Sequence, residues 1–229
     1  MAAEVEQIYR QIAGTMAFGD LAFGGDSHAR EVADRAIGPV RDLYENGNNI
    51  FAVLEERFVD SGMTCERFLD HRKYRRLLQS RANMVVLLLG GNDLDSLTVK
   101  HQQVLNLQRV MFNQLTAEHK IVYICENPTR FSKRTVGLDF DIYKAERQKL
   151  AREQLRMFGG RFIPLPSYCF NQANFVAQKH RRYGMEYVHL NSLCYTKIAQ
   201  ACVDHIKADL AGRKSPPSDP KLQLLTYND

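Results

Sequence analysis

Short, wholly apolar runs alternate along this chain with stretches whose apolar residues recur every three or four positions. The first pattern is what a strand buried on both faces requires; the second is what a helix resting one face on a core requires. Residues 84–89 (MVVLLL), closed by Gly90-Gly91, are the plainest strand. Residues 120–125 and 161–165 read the same way, residues 15–23 form a strand ending near Gly24, and residues 49–59 are a further candidate. Helical spacing covers residues 2–13, 28–37, 64–79, 99–118, 140–158 and 191–211. In residues 99–118, for example, Val104, Leu107, Val110, Met111 and Leu115 share one side. Thr64 is a candidate N-cap, Gly38-Pro39 is expected to stop the 28–37 helix, and Gly159-Gly160 to stop the 140–158 helix.

Strands alternating with helices predict an α/β fold: a mostly parallel central sheet with helices on both faces, three layers in one domain. That domain is expected over residues 15–212, after an N-terminal helix within residues 1–14. Residues 213–229 (RKSPPSDPKLQLLTYND) hold three of the seven prolines, Pro216, Pro217 and Pro220, and read as an extended tail.

Composition narrows the class without naming it. The 229 residues are 45 % hydrophobic and 25 % charged, ordinary globular usage. Mean hydropathy is -0.37, and the run at 84–89 falls far short of the roughly 20 residues a membrane span needs. The first residues, MAAEVEQIYRQIA, have neither the basic start nor the apolar core of a secretory signal. Five scattered cysteines, an odd number, read as reduced thiols, so a cytoplasmic location is expected. A net charge of +5 permits an acidic partner without demanding one. Basic clusters at 71–76, 130–134 and 179–182 would suit nucleic acid or an anionic substrate, or equally a solvated helix face. Arg130 and Lys133 follow a strand end and would border a substrate cleft there. Cys202 and His205 share a helix, but no further ligands converge on them at convincing spacing, so they read as helix packing and a surface histidine rather than a metal site.

Three stretches carry chemistry. Gly24-Gly25-Asp26-Ser27-His28 follows the first strand and would expose the Ser27 hydroxyl at the start of a helix, or simply cap that helix. Gly90-Gly91-Asn92-Asp93 follows the strand at 84–89; Asn92 would donate a side-chain N–H to an oxyanion and Asp93 would hold the loop, or the four residues are a plain turn. Glu186-Tyr187-Val188-His189-Leu190-Asn191 precedes the last helix. A carboxylate three residues before a histidine can accept from Nδ1 and leave Nε2 to take a serine's proton; the alternative is a half-exposed histidine at a helix start.

Together, over about residues 15 to 210, these stretches resemble the SGNH hydrolase superfamily, also called GDSL-type esterases. Gly25-Asp26-Ser27 matches its Gly-Asp-Ser block, Gly90-Gly91-Asn92-Asp93 its Gly-x-Asn-Asp block, and Glu186-Tyr187-Val188-His189 its Asp-x-x-His block. The family's oxyanion glycine is best matched by Gly62 in Ser61-Gly62-Met63-Thr64, with Gly47 as the other candidate. Two positions depart: Glu186 stands where the family has Asp, and His28 follows the serine. Gly-Asp-Ser-His is a form found in animal members, including esterase-like domains of some retrotransposon first-frame proteins; here His28 would touch substrate or cap the helix, and the cap is the expectation.

The resemblance implies a flavodoxin-like fold and a serine esterase without metal or cofactor. Ser27 would be the nucleophile, His189 the base and Glu186 the group orienting it. The N–H groups of Ser27 and Gly62 and the side chain of Asn92 would form the oxyanion hole, supported by Asp26, Gly90 and Asp93. The substrate would be a small-molecule or glycan ester with a short acyl group. Two alternatives stand beside it: an O-acetyl transferase or deacetylase using the same residues, and a catalytically inactive module of this fold contacting nucleic acid or another acidic partner.

Overall fold

The computed structural model describes residues 20–45, 52–53, 58–95, 99–130, 140–180, 184–186 and 188–210. The expected helix at 2–13, Gly47, Lys133 and the tail from Arg213 lie outside them. In chain order come β1 (Asp20–Gly25), α1 (Ser27–Glu45), β2 (Ala52–Val53), β3 (Phe58–Val59), α2 (Cys65–Asp70), α3 (Arg72–Gln79), β4 (Met84–Leu88), α4 (Gly91–Leu94), α5 (His101–Ala117) and β5 (Ile121–Cys125). Then follow α6 (Phe140–Phe158), β6 (Phe162–Ile163), a short hairpin of β7 (Gln178–His180) and β8 (Gly184–Glu186), and α7 (Ser192–Leu210).

The sheet runs β2–β1–β4–β5–β6, every pair parallel. β1 and β4 form its centre, in register from Leu21 opposite Met84 to Gly25 opposite Leu88. The other edge of β1 is shared: β2 pairs with Asp20 and Leu21, β3 with Gly24 and Gly25. Period-two alternation sends Leu21, Phe23, Val86, Leu88 and Tyr123 to one face, where they meet α1 and α7 through Val32, Ile198 and Ile206. Ala22, Val85, Leu87, Val122 and Ile124 go to the other, against α2, α3, α5 and α6 through Phe68, Leu77, Met111 and Leu150. Both faces are therefore dry, which is why β1 after Asp20, β4 and β5 are written without charged residues. Each large side chain so buried contributes about 1.5–3 kcal/mol. The result is the expected three-layer α/β/α arrangement. Among the described residues no helix is long and apolar enough to cross a membrane.

Two expectations need correction. The first helix does not stop at Gly38-Pro39 but continues to Glu45. Pro39 removes one N–H from the helix, but Gly38 has no Cβ for the proline ring to strike, so helical backbone before the proline is tolerated. The helix at 64–79 is two helices broken at His71, whose ψ of 144° is extended. His71 serves both: its N–H donates to the Phe68 carbonyl, and its Nδ1 accepts from the Lys73 N–H. Thr64 caps the first of them, its hydroxyl accepting from the Arg67 N–H at 3.3 Å. Within the strand candidate at 49–59 lie β2 and β3, and its other residues lie outside the described ones.

Candidate active site

The order of strands reverses between β1 and β4, the place where ligands bind in open parallel sheets, and the loops leaving their carboxyl ends meet there. Gly25 ends β1 with φ +143°, and a Cβ on it would lie 2.0 Å from the Leu88 carbonyl oxygen. Only glycine lets the backbone of β4 come this close. Asp26 follows, fully buried, and caps α1: its Oδ1 accepts from the His28 N–H at 2.9 Å and its carbonyl from the Arg30 N–H. Because Asp26 supplies the cap, the Ser27 hydroxyl is left to another partner. His189 Nε2 lies 3.0 Å from Ser27 Oγ.

His189 arrives on a loop pinned from both sides. Its carbonyl accepts from the Val176 N–H at 2.8 Å, and Leu190 forms a bridge with Phe175. Asn191 then caps α7, its Oδ1 accepting from the Cys194 N–H. His28 is not the helix cap expected of it. It is buried, its Nδ1 2.7 Å from the Tyr195 hydroxyl, and its ring stands 5.3 Å centre to centre from that of His189. The Tyr195 hydroxyl also accepts from the Leu190 N–H at 3.3 Å, and burial pushes its pKa above the usual tyrosine value. Glu186 is described as the backbone end of β8; its side chain lies outside the described residues.

The block after β4 begins with Gly90 at φ +122°, where a Cβ would strike Val104 at 2.8 Å, and turns directly into α4. Asn92 Nδ2 donates to the Met63 carbonyl at 2.8 Å and to Asp26 Oδ2 at 3.2 Å. Its Oδ1 accepts from Arg130 Nη2 at 3.0 Å. Both oxygens of Asp93 lie 3.0 Å from the Cys65 N–H, tying this loop to the start of α2. Gly62 sits just upstream, exposed, at φ +70°, in the turn that follows β3. Asp26, Asn92, Asp93 and Met63 thus draw the three loops that follow β1, β3 and β4 together.

Burial raises the Asp26 carboxyl to about 6; Arg130 and the N–H groups of His28 and Ala29 oppose the rise, and the Asp93 charge adds to it. Burial also raises Asp93, against the Cys65 hydrogen bonds. Arg130 does not border an open cleft. It is 2 % exposed, ion-paired through Nη1 with Asp95. Burial works to lower its pKa, but Asp95, Tyr143 and Asp26 outweigh that and hold it above the ordinary arginine value. The roles of Arg130, His28 and Tyr195 escape sequence reasoning because their partners lie 35 to 167 positions away.

No protein-family model matches the chain, and no curated protein matches it. Solved structures do. The lipase/acylhydrolase from Enterococcus faecalis superposes with a TM-score of 0.60 at 18 % identity, over 84 % of this chain and 97 % of that one. An acetyl xylan esterase gives 0.53 at 17 % identity, over 82 % and 99 %. The psychrotrophic esterase EstA from Pseudoalteromonas gives 0.53 at 13 % identity, over 84 % and 98 %. The chain has the fold of these proteins, that of GDSL/SGNH-type acylhydrolases and esterases.

Proposed function

We propose that this chain hydrolyses carboxylic esters through an acyl-enzyme on Ser27. The observation that carries the reading is the 3.0 Å contact between Ser27 Oγ and His189 Nε2 at the carboxyl ends of the central strands. A hydroxyl at that distance from a neutral imidazole can lose its proton as it attacks a carbonyl carbon. The carbonyl oxygen then becomes an oxyanion. Ser27 opens α1, so its N–H and the positive end of the helix face that charge. Asn92 supplies a side-chain N–H, which it now shares with Asp26 and Met63, and the Gly62 N–H completes the set. Each such donor is worth about 3 kcal/mol of barrier. His189 passes the proton to the leaving alkoxide, the alcohol departs, and water, deprotonated by the same imidazole, releases the acid and restores Ser27. Glu186 orients His189. The substrate is a small-molecule or glycan ester with a short acyl group; the acetyl xylan esterase that shares the fold makes acetyl esters the first to test.

Hydrolysis of p-nitrophenyl acetate and butyrate tests the reading, beside Ser27→Ala and His189→Ala. Each variant is expected to lose kcat by roughly 10³-fold or more. A wild-type rate that survives both substitutions would overturn it. Ser27 is also expected to react with a fluorophosphonate probe, and Ser27→Ala to abolish the labelling.

A further inference from the structure

We propose that Arg130 is a positioning residue for the ester hydrolysis: it fixes which way the Asn92 amide faces. The inference rests on the reading of the site just given. A carboxamide is nearly the same shape after a half-turn about its last bond, so packing alone does not tell its oxygen from its nitrogen. Its neighbours do. On one side of Asn92 stand the Met63 carbonyl and the Asp26 carboxyl, which receive the two N–H bonds at 2.8 and 3.2 Å. On the other stands a guanidinium, which can only donate, 3.0 Å from Oδ1. A flipped amide would set N–H₂ against guanidinium N–H and oxygen against oxygen.

Arg130 is itself held in place. It is buried, and Asp95 takes its other terminal nitrogen. Gly91 gives it room: a Cβ at that position would lie 3.1 Å from Nη2. The cation has a second effect. Drawing on the amide oxygen polarises the whole group, so the N–H now held at 3.2 Å by Asp26, once shared with a developing oxyanion, is a stronger donor to it. Arg130 therefore acts on the transition state through Asn92 without touching substrate.

The test is a double-mutant cycle on ester turnover, using Arg130→Gln and Asn92→Ala singly and together, with Arg130→Lys and Ser27→Ala alongside. Arg130→Gln is expected to lower kcat by about tenfold with KM little changed, an effect of the size expected when one oxyanion donor is weakened rather than removed. In the Asn92→Ala background the same substitution is expected to change kcat by less than about twofold. Arg130→Lys, which keeps the charge, is expected to recover part of the loss. Equal losses in both backgrounds, with Ser27→Ala inactive, overturn the positioning role and leave the hydrolase reading intact. Turnover that survives Ser27→Ala overturns both. Should Arg130→Gln not fold, Gly91→Ala displaces the guanidinium without removing its charge; it is expected to lower kcat in the wild type and not in Asn92→Ala, and equal effects in both overturn the inference.

Discussion

The imidazole of His28 and the hydroxyl of Tyr195 meet at 2.7 Å although 167 positions separate them. The contact joins the first turn of α1, which carries Ser27, to the first turn of α7, which follows His189. Through the same hydroxyl it also reaches the backbone N–H of Leu190, next to His189. The bond therefore braces the two segments whose side chains, Ser27 and His189, lie 3.0 Å apart.

Tyr195→Phe removes that hydroxyl and leaves the ring. Two hydrogen bonds are lost in a buried place, so stability is expected to fall by about 1–3 kcal/mol. Ester turnover should fall several-fold in kcat, with KM near its wild-type value. Chemical denaturation and steady-state kinetics on the same preparation check both halves. Unchanged turnover with reduced stability would mean that the bond braces the fold and not the serine–histidine pair.

Asp26 should make the protein more stable as the solution is acidified from neutral. Its carboxyl is raised from 3.8 to about 6 by burial, so between those values the folded chain holds a proton that the unfolded chain does not. Stability from this group is full below pH 3.8 and lost as pH rises through about 6. Between pH 7 and 4.5 the gain is about 2 kcal/mol. Glu146, lowered to about 2 mainly by its hydrogen bonds to His101 and Lys149 against the effect of burial, acts in the opposite sense, at lower pH. Urea titrations at pH 7 and 4.5 should show a clearly larger gain in wild type than in Asp26→Asn, where Asp93, also raised by burial, still acts in the same sense.

Two glycines with positive φ should respond very differently to alanine. At Gly25 the new methyl would sit 2.0 Å from a backbone oxygen of β4, which has no room to move within the ladder. Gly25→Ala is expected to cost about 4 kcal/mol or more, or to abolish folding. At Gly62 nothing lies within 4 Å of the new methyl, so only the strain of φ +70° remains, about 1–2 kcal/mol. Gly62→Ala keeps its N–H and should keep most of its activity. Soluble yield and melting temperature separate the two cases.

All five cysteines are buried and free. Cys125 at the end of β5 and Cys202 on α7 approach to 4.0 Å on one face of the sheet, and the contact with Cys202, with burial, pushes the Cys125 thiol well up. A thiol reagent should therefore find fewer than one reactive group per chain at neutral pH, and five after denaturation. Fast reaction of one thiol in the native protein would contradict this packing.

What was legible in the sequence follows from where the physics is local. β4 and β5 announce themselves because a strand covered on both faces has no solvent position to fill with a polar residue. α6 runs over residues 140–158 as its spacing predicts. Ser27, Asn92 and His189 could be picked out because strand ends, glycines and helix starts are all written within a few residues of each. The corrections arise where a distant partner decides. A buried arginine is not visible without Asp95 and Asn92 beside it, and the surroundings of His28 are set by α7. The β7–β8 hairpin escaped because Gln178, Lys179 and His180 carry no alternation of apolar and polar residues.

The ladder between β1 and β4 also acts as a gauge. Ser27 stands two residues beyond Gly25, and Asn92 four beyond Leu88, the residue paired with it. A slip of one residue between the strands would carry one loop past the other by about 3.3 Å, more than the length of the hydrogen bond from Asn92 to Asp26. A single inserted residue inside either strand should thus disable the protein while leaving every side chain of the site in the sequence. The same insertion at the opposite ends of these strands, before Asp20 or at Asn83, leaves the pairs from Leu21–Met84 to Gly25–Leu88 in register and costs at most the bonds that Asn83 makes to Asp20 and Ile121. Tolerance to length changes along β1 and β4 is therefore predicted to be directional, high where the strands begin and absent where they end.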